Sequence, residues 1–284
     1  MRRQVLIRYL GGKTRLVPWI LENVGSFEKL VEPFCGGAAL FFESKPKWGW
    51  LNDIADWPTT VFTAVRDDPM AVYKHVREYS DHFFHEDAER RYYDLRNEYQ
   101  SLVGAERAAS HIVLSVTGFN GLTRFDKNGK WNVAFGKRFF PESVRSYPLI
   151  RLYDYEHFKY YSEILKNTSI TNLDFEEVID GCGRDQFVYC DPPYLEYNGG
   201  YVSKWTKDDV VRLRSALERF LSRGGKFAVS EMGSRDGKDH TRVKDLWSGF
   251  HMVEKPYSYQ VGVNKSKTLD TELLVLSHPP SRTT

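Results

Sequence analysis

Four consecutive residues, Asp191, Pro192, Pro193 and Tyr194, close the apolar run that begins at Gln186. Two prolines in succession can neither continue a central strand nor enter a helix interior, so they impose a stiff turn at the strand's carboxyl end. Open α/β sheets bind their ligands at such ends. The turn directs a carboxylate, a proline carbonyl and an aromatic face into one space. An exocyclic amine on a base ring calls for that set, because its lone pair is delocalised into the ring and attacks poorly. Hydrogen bonds from its two N–H groups to the Asp191 carboxylate and the Pro192 carbonyl favour a pyramidal nitrogen. The freed lone pair can then attack a methyl group in line, while Tyr194 stacks on the ring. Taken alone, the four residues also fit a plain Pro-Pro turn with an incidental aspartate.

Glu32, Pro33, Phe34, Cys35, Gly36 and Gly37 form a second strand end, where paired glycines let a ligand approach the backbone. The dinucleotide fingerprint Gly-x-Gly-x-x-Gly is absent. Asp53, sixteen residues after Gly37 at the end of the next apolar run, is placed to accept hydrogen bonds from ribose hydroxyls. Together the two segments point to an adenosine-bearing cofactor. Other motifs fall away. Gly11-Gly12-Lys13-Thr14 resembles the end of a phosphate loop, but the Walker pattern needs glycine where Ile7 stands. His82 and His85 bracket two phenylalanines with no cysteine nearby and read as surface residues, so no metal site is expected. No Pro-Cys pair occurs, so the thiol nucleophile of cytosine C5 methylation is missing.

These residues need a scaffold of strands. Short apolar runs recur at 29–34, 49–53, 169–174, 186–191, 225–231 and 271–277, most of them ending in Asp or Glu. Such runs, separated by helix-like segments, fit buried parallel strands of a doubly wound α/β sheet. One helix is well marked: Thr206 caps it, Val210, Val211, Leu213, Ala216, Leu217, Phe220 and Leu221 form its stripe, and Gly224-Gly225 stops it. Residues 58–161 break the rhythm with charged helical segments and a hairpin turn at Asp126-Lys127-Asn128-Gly129. The organisation expected is a Rossmann-like catalytic domain from residues 1–57 and 162–284, with a mainly helical domain carrying a β-hairpin inserted at 58–161. Residues 195–205 are placed like a lid over the catalytic turn, and the tail after His278 is expected to be disordered.

At 284 residues, with 41% hydrophobic and 27% charged residues, the chain is long enough for one large domain with an insertion and is not a disordered polymer. No apolar run approaches the ~20 residues of a membrane helix, and the first ten residues carry no signal-peptide pattern. Three cysteines without paired spacing (Cys35, Cys182, Cys190) suggest neither a disulfide scaffold nor a zinc knuckle, and a reducing cytoplasm is the default. Net charge is only +2, but Arg124, Lys127, Lys130, Lys137, Arg138, Arg145 and Arg151 stand against Asp126 and Glu142 in one stretch. Phe125, Trp131, Phe135, Phe139, Phe140 and Tyr147 are interleaved with them. That mixture suits a surface that holds phosphates and stacks on bases, and it equally suits a solvated hairpin beside a small core.

The motifs in this order resemble the Dam-type, alpha-class DNA N6-adenine methyltransferases over nearly the whole chain. Arg8 to Lys13 resembles the family's N-terminal cofactor motif, Glu32 to Gly37 its glycine motif, Leu51 to Ile54 its ribose motif and Asp191 to Tyr194 its catalytic motif. Phe119 to Arg124 and Trp131 to Gly136 resemble the recognition hairpin of the GATC methylases. The resemblance implies a class I S-adenosylmethionine-dependent fold and transfer of a methyl group to N6 of a flipped adenine in double-stranded DNA, at GATC or a close relative. Flipping follows from geometry, since a paired adenine's N6 is unreachable for in-line transfer. It implies further that Asp191, Pro192, Pro193 and Tyr194 are catalytic. Tyr9, Lys13, Asp53 and Asp191 would contact S-adenosylmethionine, Glu32, Phe34, Gly36 and Gly37 would line its methionine end, and Asp174 and Phe175 would flank its adenine. Arg124 would read a guanine, Leu122 a thymine methyl and Arg8 another base edge. Phe119 or Asn120 would fill the space left by the flipped adenine, and Lys137 would be a further DNA contact.

For Arg124 the alternatives are a phosphate contact or a hairpin salt bridge with Asp126; for Tyr9, a core aromatic; for Lys13, a surface charge at a helix start. The family commonly has Pro at Ala134 and often Asn at Asp126, which bears on strict GATC specificity. The expected setting is the cytoplasm of a bacterial or phage-infected cell, with a cognate restriction endonuclease as a possible counterpart and no obligate protein partner. Competing readings are N-methylation of RNA or of a protein amide, although protein-amide enzymes carry Asn in place of Asp191, and a DNA-binding relative that has lost turnover.

Overall fold

The computed structural model describes residues 5–9, 11–82, 87–136, 153–195, 205–235, 238–257 and 270–281. The chain forms two compact units, one from Met1–Gly12 and Ala55–Ile170 and one from Lys13–Ile54 and Thr171–Thr284.

The second unit holds an α/β sheet. Strand β1 (Lys29–Glu32) pairs in parallel with β2 (Trp48–Asn52) and β4 (Phe187–Cys190), and β4 pairs in parallel with β5 (Lys226–Arg235). The last residue of β3 (Thr168–Thr171) belongs to this unit and flanks the end of β2. Parallel strands buried on both faces read as unbroken apolar runs, which is why β4 is buried at all four positions. Beyond β5 the sheet turns antiparallel: β8 (Asp270–Leu276) lies between β5 and the edge strand β7 (His251–Tyr257), and β6 (Lys238–Asp239) pairs back on β5. The run at 271–277 is therefore a strand as expected, but antiparallel to β5 rather than parallel. Strand β7 had no apolar run to announce it, because an edge strand with charges and Pro256 guards against stray pairing.

Helices cover this sheet: α1 (Val17–Val24), α2 (Ala39–Ser44), α8 (Phe175–Asp180), α9 (Lys207–Ser222) and α10 (Thr241–Leu246). Helix α9 begins at Thr206, which forms a reciprocal capping box with Asp209, an arrangement that stabilises a helix start by about 1 kcal/mol. Its stripe of Val210, Leu213, Leu217 and Phe220 packs on Val188, Phe227 and Val229 of the sheet. Residues 279–281, in the tail after His278 that was expected to be disordered, are described and held against α1. Ser281 N donates to Asn23 O at 2.9 Å and His278 Nε2 lies 3.3 Å from Val24 O. The last carbonyls of α1 have no partners within their own helix, and the tail supplies them.

The first unit is helical: α3 (Asp56–Asp67), α4 (Pro69–His82), α5 (Ala88–Glu98), α6 (Gly104–Thr117) and α7 (Tyr155–Leu165). Helix α6 is its centre, packed by α3, α4 and α5 and buried at every position from Ala108 to Thr117. A helix buried all round must hide its hydroxyls, and Ser115 and Thr117 donate theirs to the carbonyls of Ile112 and Val113. The compact units differ from the sequence boundaries at both ends. Leu6 and Ile7 are buried and fall in the helical unit, as does the end of α7 beyond residue 161, where α7 packs on α3 and α4.

The Asp126–Gly129 turn forms as its residue types require. Asp126 Oδ1 accepts from Asn128 N at 2.8 Å and Lys130 N at 3.0 Å, which holds its carboxyl below the usual range, and Gly129 takes φ 74°. The flanks carry two isolated bridges, Phe125 to Trp131 and Gly118 to Phe135. Among the described residues no helix is long and apolar enough to cross a membrane, and no group of acidic, cysteine or histidine side chains could hold a metal ion. Lys137, His85 and residues 196–204 of the expected lid lie outside the described residues, as does the side chain of His82.

Candidate active site

Asp191 and its turn follow directly on β4, which sits between β1 and β5. Pro192 and Pro193 have no N–H to offer, so side chains must hold the turn. Lys13 Nζ lies 2.9 Å from Asp191 Oδ1 and 3.5 Å from Glu272 Oε1. Glu272 Oε1 also accepts the Tyr194 hydroxyl at 2.7 Å, and the ammonium stands 4.8 Å from the centre of the Tyr194 ring. The Lys13 side chain is only 6% exposed, so it is no surface charge at a helix start. Burial pushes the Asp191 carboxyl up, and Lys13 and Glu272 act on it in opposite directions, leaving it at about 6.

In the sheet order β1 lies beside β4, and β2 lies on the far side of β1. Glu32 is buried, accepts from Phe41 N at 2.9 Å and is pushed up to about 8 by burial, with the Asp191 charge adding to the effect. Asp53 Oδ2 accepts from Gly36 N at 2.9 Å, which ties the glycine loop to the end of β2. Gly36 takes φ 44°, a left-handed conformation that favours glycine. Phe34 packs against Phe175 at 5.2 Å between ring centres, and Trp205 closes on both. Asp174 caps α8 and pairs with Arg212, whose guanidinium stands over the Phe175 ring.

Two residues here escaped sequence reasoning. Asn52 is fully buried and joins three strand ends: Nδ2 donates to Pro33 O and Leu173 O, each at 3.0 Å, while Oδ1 accepts from Leu173 N and the Thr171 hydroxyl, each at 2.8 Å. Glu272 is the other. A glutamate inside an apolar strand run was the available signal, since a carboxylate is buried only where it is partnered. Glu231 is also buried and pushed up to about 8 by burial, with Glu272 and Asp191 contributing and the Trp247 indole N–H opposing. The three cysteines are free and buried, and Cys190 packs as a strand residue.

The sequence-predicted cofactor residues Lys13, Glu32, Phe34, Gly36, Gly37, Asp53, Asp174, Phe175 and Asp191 thus all belong to the sheet unit, at or beside its strand ends. Tyr9 belongs to the helical unit, where its ring stacks on Trp57 at 5.3 Å. The donor set suits S-adenosylmethionine. Glu32, Asp53 and Asp191 set a surplus of carboxyl groups against Lys13, which matches a ligand bearing a sulfonium, an ammonium and ribose hydroxyls.

Of the residues expected to meet DNA, Arg8, Phe119, Asn120, Leu122 and Arg124 are in the helical unit. Phe119 is 44% exposed, and Asn120 and Gly121 take φ 55° and 66°. The Arg8 side chain lies against Gly121, so close that a Cβ there would sit 2.8 Å from its guanidinium. Leu122 is half-buried. Arg124 donates from Nε and Nη2 to Asn132 O at 3.0 and 2.9 Å, across the hairpin rather than to Asp126. The aromatic residues beside it divide. Trp131, Val133 and Phe135 point inward and are buried while Asn132 and Ala134 are exposed, so Trp131 and Phe135 serve the small core and cannot stack on bases.

Comparison with known proteins shows the family of the chain. Residues 9–261 match the family model described as D12 class N6 adenine-specific DNA methyltransferase. The chain is 28% identical to the Type II methyltransferase M.MjaIII of Methanocaldococcus jannaschii, over 98% of this chain and 100% of that one. It is 30% identical to the Type II methyltransferase M1.LlaDCHI of Lactococcus lactis subsp. cremoris, over 76% and 77% of the two chains. A DNA adenine methylase of Vibrio cholerae is 26% identical over 85% of this chain and 84% of its own length. The family match spans most of the chain, which therefore belongs to the D12 class of N6 adenine-specific DNA methyltransferases.

Proposed function

We propose that the protein methylates N6 of a flipped adenine in double-stranded DNA, at GATC or a close relative, with S-adenosylmethionine as the donor. The observation that carries this reading is the Asp191–Tyr194 turn at the end of β4, held by Lys13 and Glu272. S-adenosylmethionine, when bound, supplies an electrophilic methyl group. Glu32, Phe34, Gly36, Gly37, Asp53, Asp174 and Phe175 would hold it, with Lys13 and Tyr9 as further contacts. The Asp191 carboxylate and the Pro192 carbonyl accept the two N6–H bonds and aim the nitrogen lone pair, and Tyr194 stacks on the base. Catalysis is orientation and electrostatics, with no covalent enzyme intermediate. The relatives named as Type II methyltransferases support a cognate restriction endonuclease as a counterpart, and relatives in Escherichia coli and its phage P1 support a setting in the cytoplasm of a bacterial or phage-infected cell.

The test is expression in a host lacking adenine methylation, followed by single-molecule sequencing of its DNA. N6-methyladenine concentrated at GATC supports the whole reading. Another motif keeps the chemistry and points to Ala134 and Asp126 as the source of altered specificity. An unmodified genome overturns the reading and favours an RNA substrate or a protein without turnover.

Two further results are expected. Arg124→Ala should relax discrimination at one base pair by roughly 1–3 kcal/mol, measured as kcat/KM on singly substituted duplexes. A uniform loss across all duplexes would assign Arg124 to a phosphate, and unchanged rates would leave it only its bond to Asn132 O. Cofactor binding near neutral pH should release protons. Glu32, held at about 8, is largely protonated at pH 7, and a cationic ligand favours its ionised form. Affinity for S-adenosylmethionine should therefore rise as pH increases towards about 8. Titration calorimetry in two buffers of different ionisation enthalpy checks this, and identical heats would rule it out.

A further inference from the structure

The catalytic turn is short of backbone anchors, since neither Pro192 nor Pro193 can donate a hydrogen bond. Its two ends are instead tied to one atom of a strand on which sequence reasoning placed no chemistry. Glu272 sits on β8, opposite Met232 of β5 and Lys255 of β7, with its side chain fully buried. Its Oε1 accepts the Tyr194 hydroxyl at 2.7 Å and lies 3.5 Å from Lys13 Nζ, which is 2.9 Å from Asp191 Oδ1. One carboxylate oxygen therefore reaches Tyr194 directly and Asp191 through a single ammonium. A base held between the aspartate and the tyrosine needs both at a fixed separation and angle, and a misplacement of about 1 Å can cost 10²-fold in rate.

We infer that Glu272 is a positioning residue of the transfer reaction, setting the Tyr194 ring and, through Lys13, the Asp191 carboxylate. The inference rests on the assignment of Asp191 and Tyr194 to the reacting centre. Glu272 touches neither base nor methyl donor in this role. Its carboxylate fixes the tyrosine hydroxyl and divides the lysine charge between two acids, so its loss loosens the ring and draws Lys13 wholly onto Asp191.

The experiment is kinetic, with purified full-length protein and a duplex bearing the site found by sequencing. Glu272→Leu should lower kcat roughly 100-fold, with the Kd values for S-adenosylmethionine and duplex held within about 3-fold. Glu272→Gln keeps an acceptor for the Tyr194 hydroxyl and should recover about 10-fold of that loss. In a Tyr194→Phe background the hydroxyl is gone, and the Glu272→Leu loss should shrink, as coupled neighbours require. Equal losses in both backgrounds, a Kd that rises as far as kcat falls, or near-normal kcat would overturn the inference. If the leucine variant does not fold, Glu272→Asp, which withdraws the carboxylate by one bond, serves in the same cycle. Asp191→Ala run alongside separates the two levels. Activity there defeats the assignment of the turn, whereas a dead Asp191→Ala with an active Glu272→Leu defeats only the role of Glu272.

Discussion

Replacement of Asp191 by alanine should reduce methyl transfer by about 10³-fold or more, because it removes the acceptor that aligns the target nitrogen. The protein should still fold. Lys13 would lose its 2.9 Å partner but keep Glu272 at 3.5 Å, so no buried charge is left alone. The informative pairing is single-turnover rate against thermal melting: a dead variant that melts like the parent assigns the carboxylate to the reaction, whereas substantial residual transfer removes it from the mechanism. The parent enzyme supplies a second readout. Asp191 sits at about 6, and only its ionised form can accept an N–H bond at both oxygens, so turnover should fall as pH drops through about 6. That limb should vanish from the residual rate of Asp191→Ala.

The second large effect belongs to the helical unit. Trp131 is 1% exposed and ringed by His111, Tyr99 and Phe125, with centre-to-centre distances of 5.0, 5.3 and 5.5 Å. Its indole N–H donates to the Tyr92 hydroxyl at 3.1 Å, Tyr92 donates in turn to Val133 O at 3.0 Å, and Arg96 Nε holds Trp131 O at 2.8 Å. Trp131→Ala should cost about 3–5 kcal/mol by emptying this site, lowering the Tm by roughly 6–20 °C for a unit of this size. The hairpin that carries Arg124 and Asn132 would lose its inward anchor, so duplex binding should fall even below the new Tm. Every proposed cofactor contact except Tyr9 lies in the sheet unit, so cofactor binding should be largely retained there. A variant that melts normally, or that loses cofactor and duplex together, would contradict this division. His111 adds a related constraint: burial, with the Arg107 charge assisting, holds its ring down at about 3, so it stays neutral while stacked 4.3 Å from Trp57.

Several parts of this architecture were legible in the chain because they depend on local chemistry. A parallel strand buried on both faces must be an unbroken apolar run, and β1, β2, β4 and β5 appear where such runs stand. The turn residues Asp126 and Gly129 and the cap at Thr206 act within a few positions of themselves. The turn at Asp191–Tyr194 was legible for the same reason, since two prolines dictate their own geometry and end β4.

What lay beyond the sequence depends on neighbours distant along the chain. The antiparallel course of β8 and the charged edge strand β7 are set by pairing, not by composition. Burial of Trp131 and Phe135, which composition left open between a core and a base-stacking surface, was decided by Tyr92 of α5, Tyr99 just after it and His111 of α6. Lys13 and Glu272 are 259 positions apart, yet they share one oxygen contact with the ends of the Asp191–Tyr194 turn. The sequence by itself determined which groups could do the chemistry, because residue type carries functional groups. Only the tertiary structure decided which of them are buried, paired and held at a strand end, because desolvation and Coulomb energies depend on distance in space rather than along the chain.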